Sequence, residues 1–469
     1  SLQEALGPTA PRLPHTLIFS LPTVRAIAEF VNKHAVDHTD RHVMTKPQSG
    51  MGDTCQQSPS RDVIRMAATS CATPGGCTSV VGFWTALFHS ADTLCTPPAS
   101  RCELRLFNDN ILSGHFVFGA ELFDHTQCSM SAAEVKVTDP NQRLLLEVGL
   151  ESLVGAKYQA AMLSQGGTGV FIGFGQTPWM AVQQQLPPSV FSGHGVVASA
   201  SAGRISFTLG LQGPCLAVDT ACSSSLVALH TAYHCLQMGS CLSALAAGVS
   251  LHPHASSWVS TPGLPLAPNG CSKTFDAAAD GYGRGEACFV VVLQTVSTDL
   301  HGLHLNDLRL CGAAANQDGR SASFSAPSGQ AQQSVVRAAL QAVTMESQKH
   351  GVETHGTGTA LGDPVEVEAL QTVLSCGCAR DAPLVLGALK TRIGHTEFAA
   401  GCAGVCRAAF ALQHMHHSLN LHLQIPNPYL EVDAVLLPVQ VTSAAMQSMG
   451  VSSFGFTGTN THAVLQTDS

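Results

Sequence analysis

The sequence predicts an α/β protein with a wide buried interior, and three observations carry that prediction. From about residue 61 onward, strand-sized apolar runs alternate with segments of helical apolar spacing, with no further break of linker composition. The chain has 469 residues, is 45% hydrophobic and only 12% charged, against roughly 25% charged in typical soluble domains. So few charges imply a large core or a sizeable subunit interface. The apolar run around Val290 to Leu293 is strand-sized, far short of the roughly 18 or more residues of a membrane span, so no span is expected.

Residues 1–42 carry a short helical signal, because Val24, Ile27, Ala28 and Val31 follow Pro22 at the spacing of one helix face. Residues 43–61 are rich in Pro, Gly, Ser and Gln and read as a linker. Beyond it, strands are expected over 169–173, 215–219 and 384–387, and helices over 223–237 and 366–374. The formal charge is −9 and no Lys/Arg run occurs, so a nucleic-acid partner, which needs clustered cations, is excluded. Seventeen scattered cysteines, odd in number and without a leading apolar signal segment, read as reduced thiols of a soluble, cytoplasmic protein without disulfides.

Three constellations carry chemistry. In DTACSSSL (219–226), an apolar strand ends, small residues allow a tight turn, and Leu226, Leu229, Tyr233 and Leu236 begin a helix. Cys222 is thereby placed at a helix N-terminus, where free amides and the dipole are expected to stabilise a thiolate and could bind an oxyanion. This is a nucleophile elbow carrying a thiol. In HGTGT (355–359), His355 leaves a short strand into a loop whose glycines allow close backbone approach. In KTRIGHTE (390–397), a strand exit delivers Lys390 and His395 ahead of a small-residue helix over 399–405. One cysteine and two distant loop histidines form the pattern of a site assembled in space.

Other groupings read as structural. Gly356, Gly358 and Gly362 are spaced one residue too widely for a dinucleotide fingerprint. Asp363, Pro364 and Glu366 look like N-cap, first turn and N3 of a capping box. His230 and His234 lack the glutamate of a zinc-protease helix, and Cys376 and Cys378 are too close for a redox pair. His414, His416 and His417 read as solvated surface. No metal and no bound cofactor is expected.

At these residues the chain resembles the β-ketoacyl synthase (ketosynthase) domain of modular type I polyketide and fatty acid synthases. The three motifs above stand in order with family-like text at 139–147, 274–286, 316–320 and 452–460, so the resemblance covers about residues 62 to 467. It implies a thiolase-like, five-layer αβαβα fold of two similar halves, 62–305 with Cys222 and 306–469 with both histidines, usually as a homodimer. It further implies decarboxylative Claisen condensation of a Cys222-bound acyl chain with a malonyl-type unit. On that reading His355 and His395 stabilise the enolate and Lys390 supports the histidines. The amides of Cys222 and Phe456 form the oxyanion hole, and Thr357, Thr359, Phe454 and Phe456 touch substrate. The substrates implied are phosphopantetheine-linked acyl and malonyl groups on acyl carrier domains, with acyltransferase and reductase partners elsewhere in the synthase. Residues 9–32 resemble the last part of such a carrier, and without its Asp-Ser-Leu motif residues 1–42 read as a truncated remnant.

The chain departs from the family at three places, one being the prolines around 251–265 that break a region usually more helical. Residues 63–71 replace an apolar, Gly-containing first strand and set Arg65 in it, and Thr457 replaces a glycine of the loop after Phe454. If that position needs a glycine's positive φ, a β-branched threonine there is strained. On the sequence alone, two other readings stay open: a non-elongating ketosynthase that only passes acyl chains on, and a catalytically silent dimer scaffold.

Overall fold

The computed structural model describes residues 63–104, 113–156, 167–254, 258, 263–296, 308–341, 343, 350–374, 383–432, 434–443 and 446–467. All of them belong to the second of the two units into which the chain divides, Ser60–Ser469. The expected helix in 1–42, the linker 43–61, Cys376 and Cys378, and the seam near 305 lie outside the described residues.

The first half contributes strands β1 (Val63–Ala72), β2 (Gly169–Gly173), β3 (Cys215–Val218), β4 (Ser243–Ser250) and β5 (Ala287–Val296), in the spatial order β3-β2-β4-β5-β1. The second half adds β6 (Leu308–Gln317), β7 (His350–Glu353), β8 (Leu384–Gly387), β12 (Ser448–Phe454) and β13 (Thr459–Thr467), in the order β8-β7-β12-β13-β6. The short strands β9 (His416–His417), β10 (Val435–Leu436) and β11 (Thr442–Ser443) lie at the periphery. Each half has the same order and sense: the second strand runs parallel to the third and the fourth, and the fifth is antiparallel to both its neighbours. Two copies of one pattern are thus read directly from the ladders.

The ladders are joined where Arg65 of β1 pairs with Arg309 of β6. The unusual opening segment therefore forms a full strand between the two halves. It tolerates arginine because Ile64 and Met66 take the buried face while Arg65 alternates onto the half-exposed one.

Helices complete the layers. Pro140–Gly155 (α1) and Ala198–Leu209 (α2) cover the outer face of the first sheet, and Gly329–Leu340 (α4) with Gly362–Leu374 (α5) cover that of the second. Ser224–Gln237 (α3) and Ala400–His414 (α7) lie between the sheets and pack on one another, while Lys390–Ile393 (α6) is a single turn before α7. Strand β5 records the layering. Phe289, Val291 and Leu293 face the central core, and Cys288, Val290 and Val292 face the outer one. A strand buried on both faces reads as a continuous apolar run, which is why 289–293 carries no polar alternation. No described helix is long and apolar enough to cross a membrane.

Two expectations are corrected here. The histidine cluster is not uniformly solvated: His417 is fully buried with Nε2 on the Met446 sulfur at 3.1 Å, and His414 stacks on Trp84. Only His414 falls among the exposed residues, and His416 is half-exposed. The helix expected over 366–374 begins a turn earlier, at Gly362, and the carboxylates of Asp363 and Glu366 accept from amides outside it.

Candidate active site

Cys222 sits on the turn between β3 and α3. The turn is sharp enough to force Ala221 to φ 56°, a left-handed value that costs a non-glycine residue roughly 1–3 kcal/mol. Hydroxyls of the serine run hold it. Ser223 Oγ donates to the Thr220 carbonyl at 2.9 Å, and Ser224 Oγ donates to the Ala221 carbonyl at 2.6 Å and accepts from the Thr220 amide at 2.9 Å. The loop after β12 is laid across this elbow. A side chain at Gly455 would meet the Thr220 carbonyl at 2.4 Å, so only glycine lets the loop pass. Ser453 Oγ donates to the Cys222 carbonyl at 2.8 Å, and the amides of Phe456 and Cys222 both reach the thiol.

His355 follows β7. Its amide donates to Glu366 Oε1 at 2.7 Å and the Gly356 amide to Oε2 at 2.9 Å. Asp363 accepts from the amides of Gly358 (3.1 Å) and Phe275 (2.9 Å). The presumed capping box is therefore a loop anchor: the two carboxylates turn away from their own helix and bind the HGTGT loop, bent at Gly356 (φ 44°) and Gly358 (φ 74°). Lys390 Nζ donates to the His355 carbonyl at 2.5 Å. Burial lowers the lysine's pKa, and Glu366, Cys222 and Asp363 oppose that effect.

His395 follows α6 and Gly394. Its Nδ1 accepts the Glu397 amide at 3.2 Å, which assigns the ring proton to Nε2. That Nε2 is buried and without a hydrogen-bond partner, as is His355 Nδ1. The two rings stand 5.5 Å apart at 83°, with Phe454 5.7 Å from His355 and Tyr282 4.9 Å from His395. Burial, reinforced by Lys390, holds both imidazoles well below their ordinary pKa, so they are neutral.

The free thiol differs from the sequence expectation. Burial pushes Cys222 up to about 12, Glu397 adds to the rise, and Lys390 with the Phe456 and Cys222 amides pulls it down. Desolvation outweighs the helix terminus, so the free thiol is protonated.

Cys222, Lys390, His355, His395 and the Phe456 amide are therefore brought to one place. Thr357 and Thr359 are half-buried, with Oγ atoms 3.2 Å apart, Phe454 is buried, and Phe456 is 51% exposed. The backbone of His395 is held by the strand-like segment beside it: its amide donates to the Gly283 carbonyl at 2.7 Å and its carbonyl accepts from the Gly285 amide at 3.0 Å. Sequence reasoning missed that clamp, together with Tyr282, Ser453 and the loop-holding roles of Asp363 and Glu366. The GYGRGE segment at 281–286 was visible, but nothing in it says which neighbour it braces. Among the described residues no cluster of three His, Cys, Asp or Glu side chains is gathered to hold a metal.

Comparison with known proteins follows the same outline. The profile described as Beta-ketoacyl synthase, N-terminal domain, matches residues 62–299, and Beta-ketoacyl synthase, C-terminal domain, matches 309–424. The chain is 34% identical to Polyketide synthase GfsA of Streptomyces halstedii, over 97% of this chain and 6% of that protein. It is 38% identical to Erythronolide synthase EryA3 of Saccharopolyspora erythraea, over 86% of this chain and 13% of that one. It thus spans a small fraction of the length of the relatives it matches. Among solved structures, the ketosynthase from module 6 of the bacillaene synthase of Bacillus subtilis 168 superposes with a TM-score of 0.80 at 30% identity, covering 87% of this chain and 72% of that one. The oxazolomycin ketosynthase domain OzmH KS7 of Streptomyces albus JA3453 gives 0.81 at 27% identity, covering 87% and 75%.

Proposed function

The chain belongs to the β-ketoacyl synthase family, with the thiolase-like fold of its ketosynthase relatives, and from that premise we propose that its site performs decarboxylative Claisen condensation in polyketide or fatty acid chain elongation. The observation that carries the reading is the convergence of a thiol on a strained elbow, two neutral imidazoles with unpartnered buried nitrogens, and backbone amides directed at the sulfur.

The Cys222 sulfur attacks the carbonyl of an acyl thioester. Its C–S bond forms as the carrier's C–S bond breaks, and the Cys222 proton leaves with the carrier thiol. Lys390 favours the transient thiolate, and the Cys222 and Phe456 amides receive the oxyanion. A carrier-bound malonyl unit then loses carbon dioxide. The electron pair of the broken C–C bond passes to the thioester oxygen as an enolate, which His355 and His395 stabilise as neutral donors. The carbanion attacks the acyl carbonyl on Cys222, a new C–C bond forms as the Cys222 C–S bond breaks, and the departing sulfur takes its proton from solvent. Thr357, Thr359, Phe454 and Phe456 line the approach for a phosphopantetheine-linked substrate, and no resident cofactor enters.

Acyl carrier domains are the partners this chemistry requires, and an acyltransferase to load them and reductases to process the product are inferred elsewhere in the synthase. A homodimer is supported by β3, which among the described residues is an edge strand: Leu216 on it and Phe207 on the adjoining α2 are apolar and exposed, the latter at 88%. The reading of 62–305 and 306–469 as the two halves rests on the repeated strand order. Reduced thiols such as Cys71, Cys288, Cys402 and Cys406 fit an intracellular, cytoplasmic setting.

The test separates the half-reactions. Cys222→Ala loses uptake of labelled acyl groups from a thioester panel yet still releases carbon dioxide from malonyl carrier. His355→Ala and His395→Ala keep partial acylation and lose carbon dioxide release by about 10²–10³-fold. Wild-type acyl uptake by Cys222→Ala, or wild-type release by both histidine variants, refutes the assignment.

A further inference from the structure

Glu397 lies two residues beyond His395 and combines features that the mechanism above does not use. Its φ is 42°, a left-handed value in a residue that is not glycine. Its carboxylate is ion-paired with Arg284, and His252 Nε2 lies 3.9 Å from the other oxygen. All three side chains are largely buried, at 18%, 10% and 6% exposure. Its amide is the donor that reaches His395 Nδ1.

The surrounding backbone explains why a strained residue persists there. Arg284 and His395 form a parallel bridge, with the Gly283 carbonyl and Gly285 amide on either side of His395. A side chain at Gly285 would meet the Ile393 carbonyl at 2.0 Å, and one at Gly394 would meet the His115 ring at 2.5 Å. The two segments thus touch backbone to backbone, and the Arg284 to Glu397 pair closes the far end of that contact. Held there, the Glu397 amide can point only back at His395.

We propose that Glu397, through its ion pair with Arg284, is a positioning residue: it fixes the His395 tautomer with the proton on Nε2 and holds a negative charge beside Cys222. The proposal rests on the roles given above to His395 and Cys222. The charge belongs to a defined setting. Glu397 and Lys390 are the charged groups that act on the thiol, and Arg284, Tyr282, His252 and Cys222 interact with Glu397. The Glu397 carboxylate contributes to raising the Cys222 pKa and Lys390 opposes it. Burial is the larger cause of that rise, and the Glu397 charge adds to it.

Two conservative variants separate position from charge. Glu397→Asp keeps the charge but shortens the reach to Arg284, so carbon dioxide release from malonyl carrier falls by about 10-fold or more, while the pH profile of Cys222 alkylation by iodoacetamide stays in place. Glu397→Gln keeps the length and loses the charge, so release falls less and the alkylation profile moves to lower pH. Acyl uptake by Cys222 survives in both. An unmoved profile in the Gln variant, or wild-type release in the Asp variant, overturns the proposal. So does a loss of acyl uptake that matches the loss of release, because that marks general damage. His395→Ala tests the underlying assignment separately: wild-type release there refutes the reading of the site, whereas failure of this inference shows only in the Glu397 variants.

Discussion

Beneath the two histidine-bearing segments lies a buried ion pair whose removal has a predictable cost. Glu353 ends β7, directly before Thr354 and His355, and Arg407 lies in α7, their side chains 3% and 2% exposed. Glu353 Oε1 also accepts the Leu389 amide at 2.7 Å, one residue before Lys390. Arg407 donates through Nη2 to the Ser418 carbonyl (3.1 Å) and hydroxyl (3.0 Å). Glu353→Ala therefore strands a guanidinium in the core and leaves the Leu389 amide without its acceptor. The charge dominates, because breaking one side of a buried pair costs about 3–5 kcal/mol, of which a lost hydrogen bond to a charged group is about 1.5–3. Arg407→Met leaves the opposite charge and has a similar cost. The double variant Glu353→Met with Arg407→Met removes both charges and recovers most of the loss, since apolar replacement of a buried pair is often neutral. Urea unfolding at unchanged m-value measures each step. Refutation takes two forms: a single variant within about 1 kcal/mol of wild type, or a double variant less stable than either single one.

Gly285→Ala drives a methyl into the Ile393 carbonyl at 2.0 Å, so carbon dioxide release falls more steeply than acyl uptake when the two are assayed side by side. Thr457→Gly leaves condensation and melting temperature unchanged, because the left-handed residue of the loop is Gly458 (φ 90°) and not Thr457. Gly458→Ala instead destabilises by about 1–3 kcal/mol, measured by the same urea unfolding. In the free enzyme, alkylation of Cys222 keeps rising with pH beyond the ordinary thiol range, because burial sets its pKa near 12. Carbon dioxide release shows no loss on crossing the ordinary imidazole value near 6.5 from above, because His355 and His395 titrate well below it and remain neutral donors.

What could be read in advance was local. Strands β2, β3 and β8 and helix α3 announce themselves by apolar spacing, and Cys222, His355, Lys390 and His395 stand in motifs whose turn chemistry is visible in their glycines and serines. The thiol's elevated pKa was not legible, because desolvation is set by packing around Cys222 and not by its neighbours in sequence. Glu366 and Asp363 were misassigned for a related reason: a carboxylate three residues into a helix fits a capping box, and only the fold shows that the amides of His355 and Gly358 are nearer. The strain expected at Thr457 fell one residue later because the turn is set by the approach of Gly455 to Thr220. The doubling of the fold was legible only through the family resemblance, because what the two halves share on the page is strand order and sense.

The start of α3 is enclosed by glycines from three directions. A methyl at Gly173 of β2 would meet the Ser225 amide at 2.4 Å, one at Gly248 of β4 the Ser225 side chain at 2.6 Å, and one at Gly401 of α7 the Leu226 side chain at 2.5 Å. Helix α3 carries the Cys222 elbow, and α7 continues from the turn that follows His395. Cys222 and His395 are thus set in one close-packed solid with little slack through which either could shift alone. On the proposed function, variation in what is accepted falls to positions such as Thr357 and Phe456, which remain accessible. A mutational library aimed at new substrates is expected to find tolerant positions there, and few among the residues packed around Ser225 and Leu226.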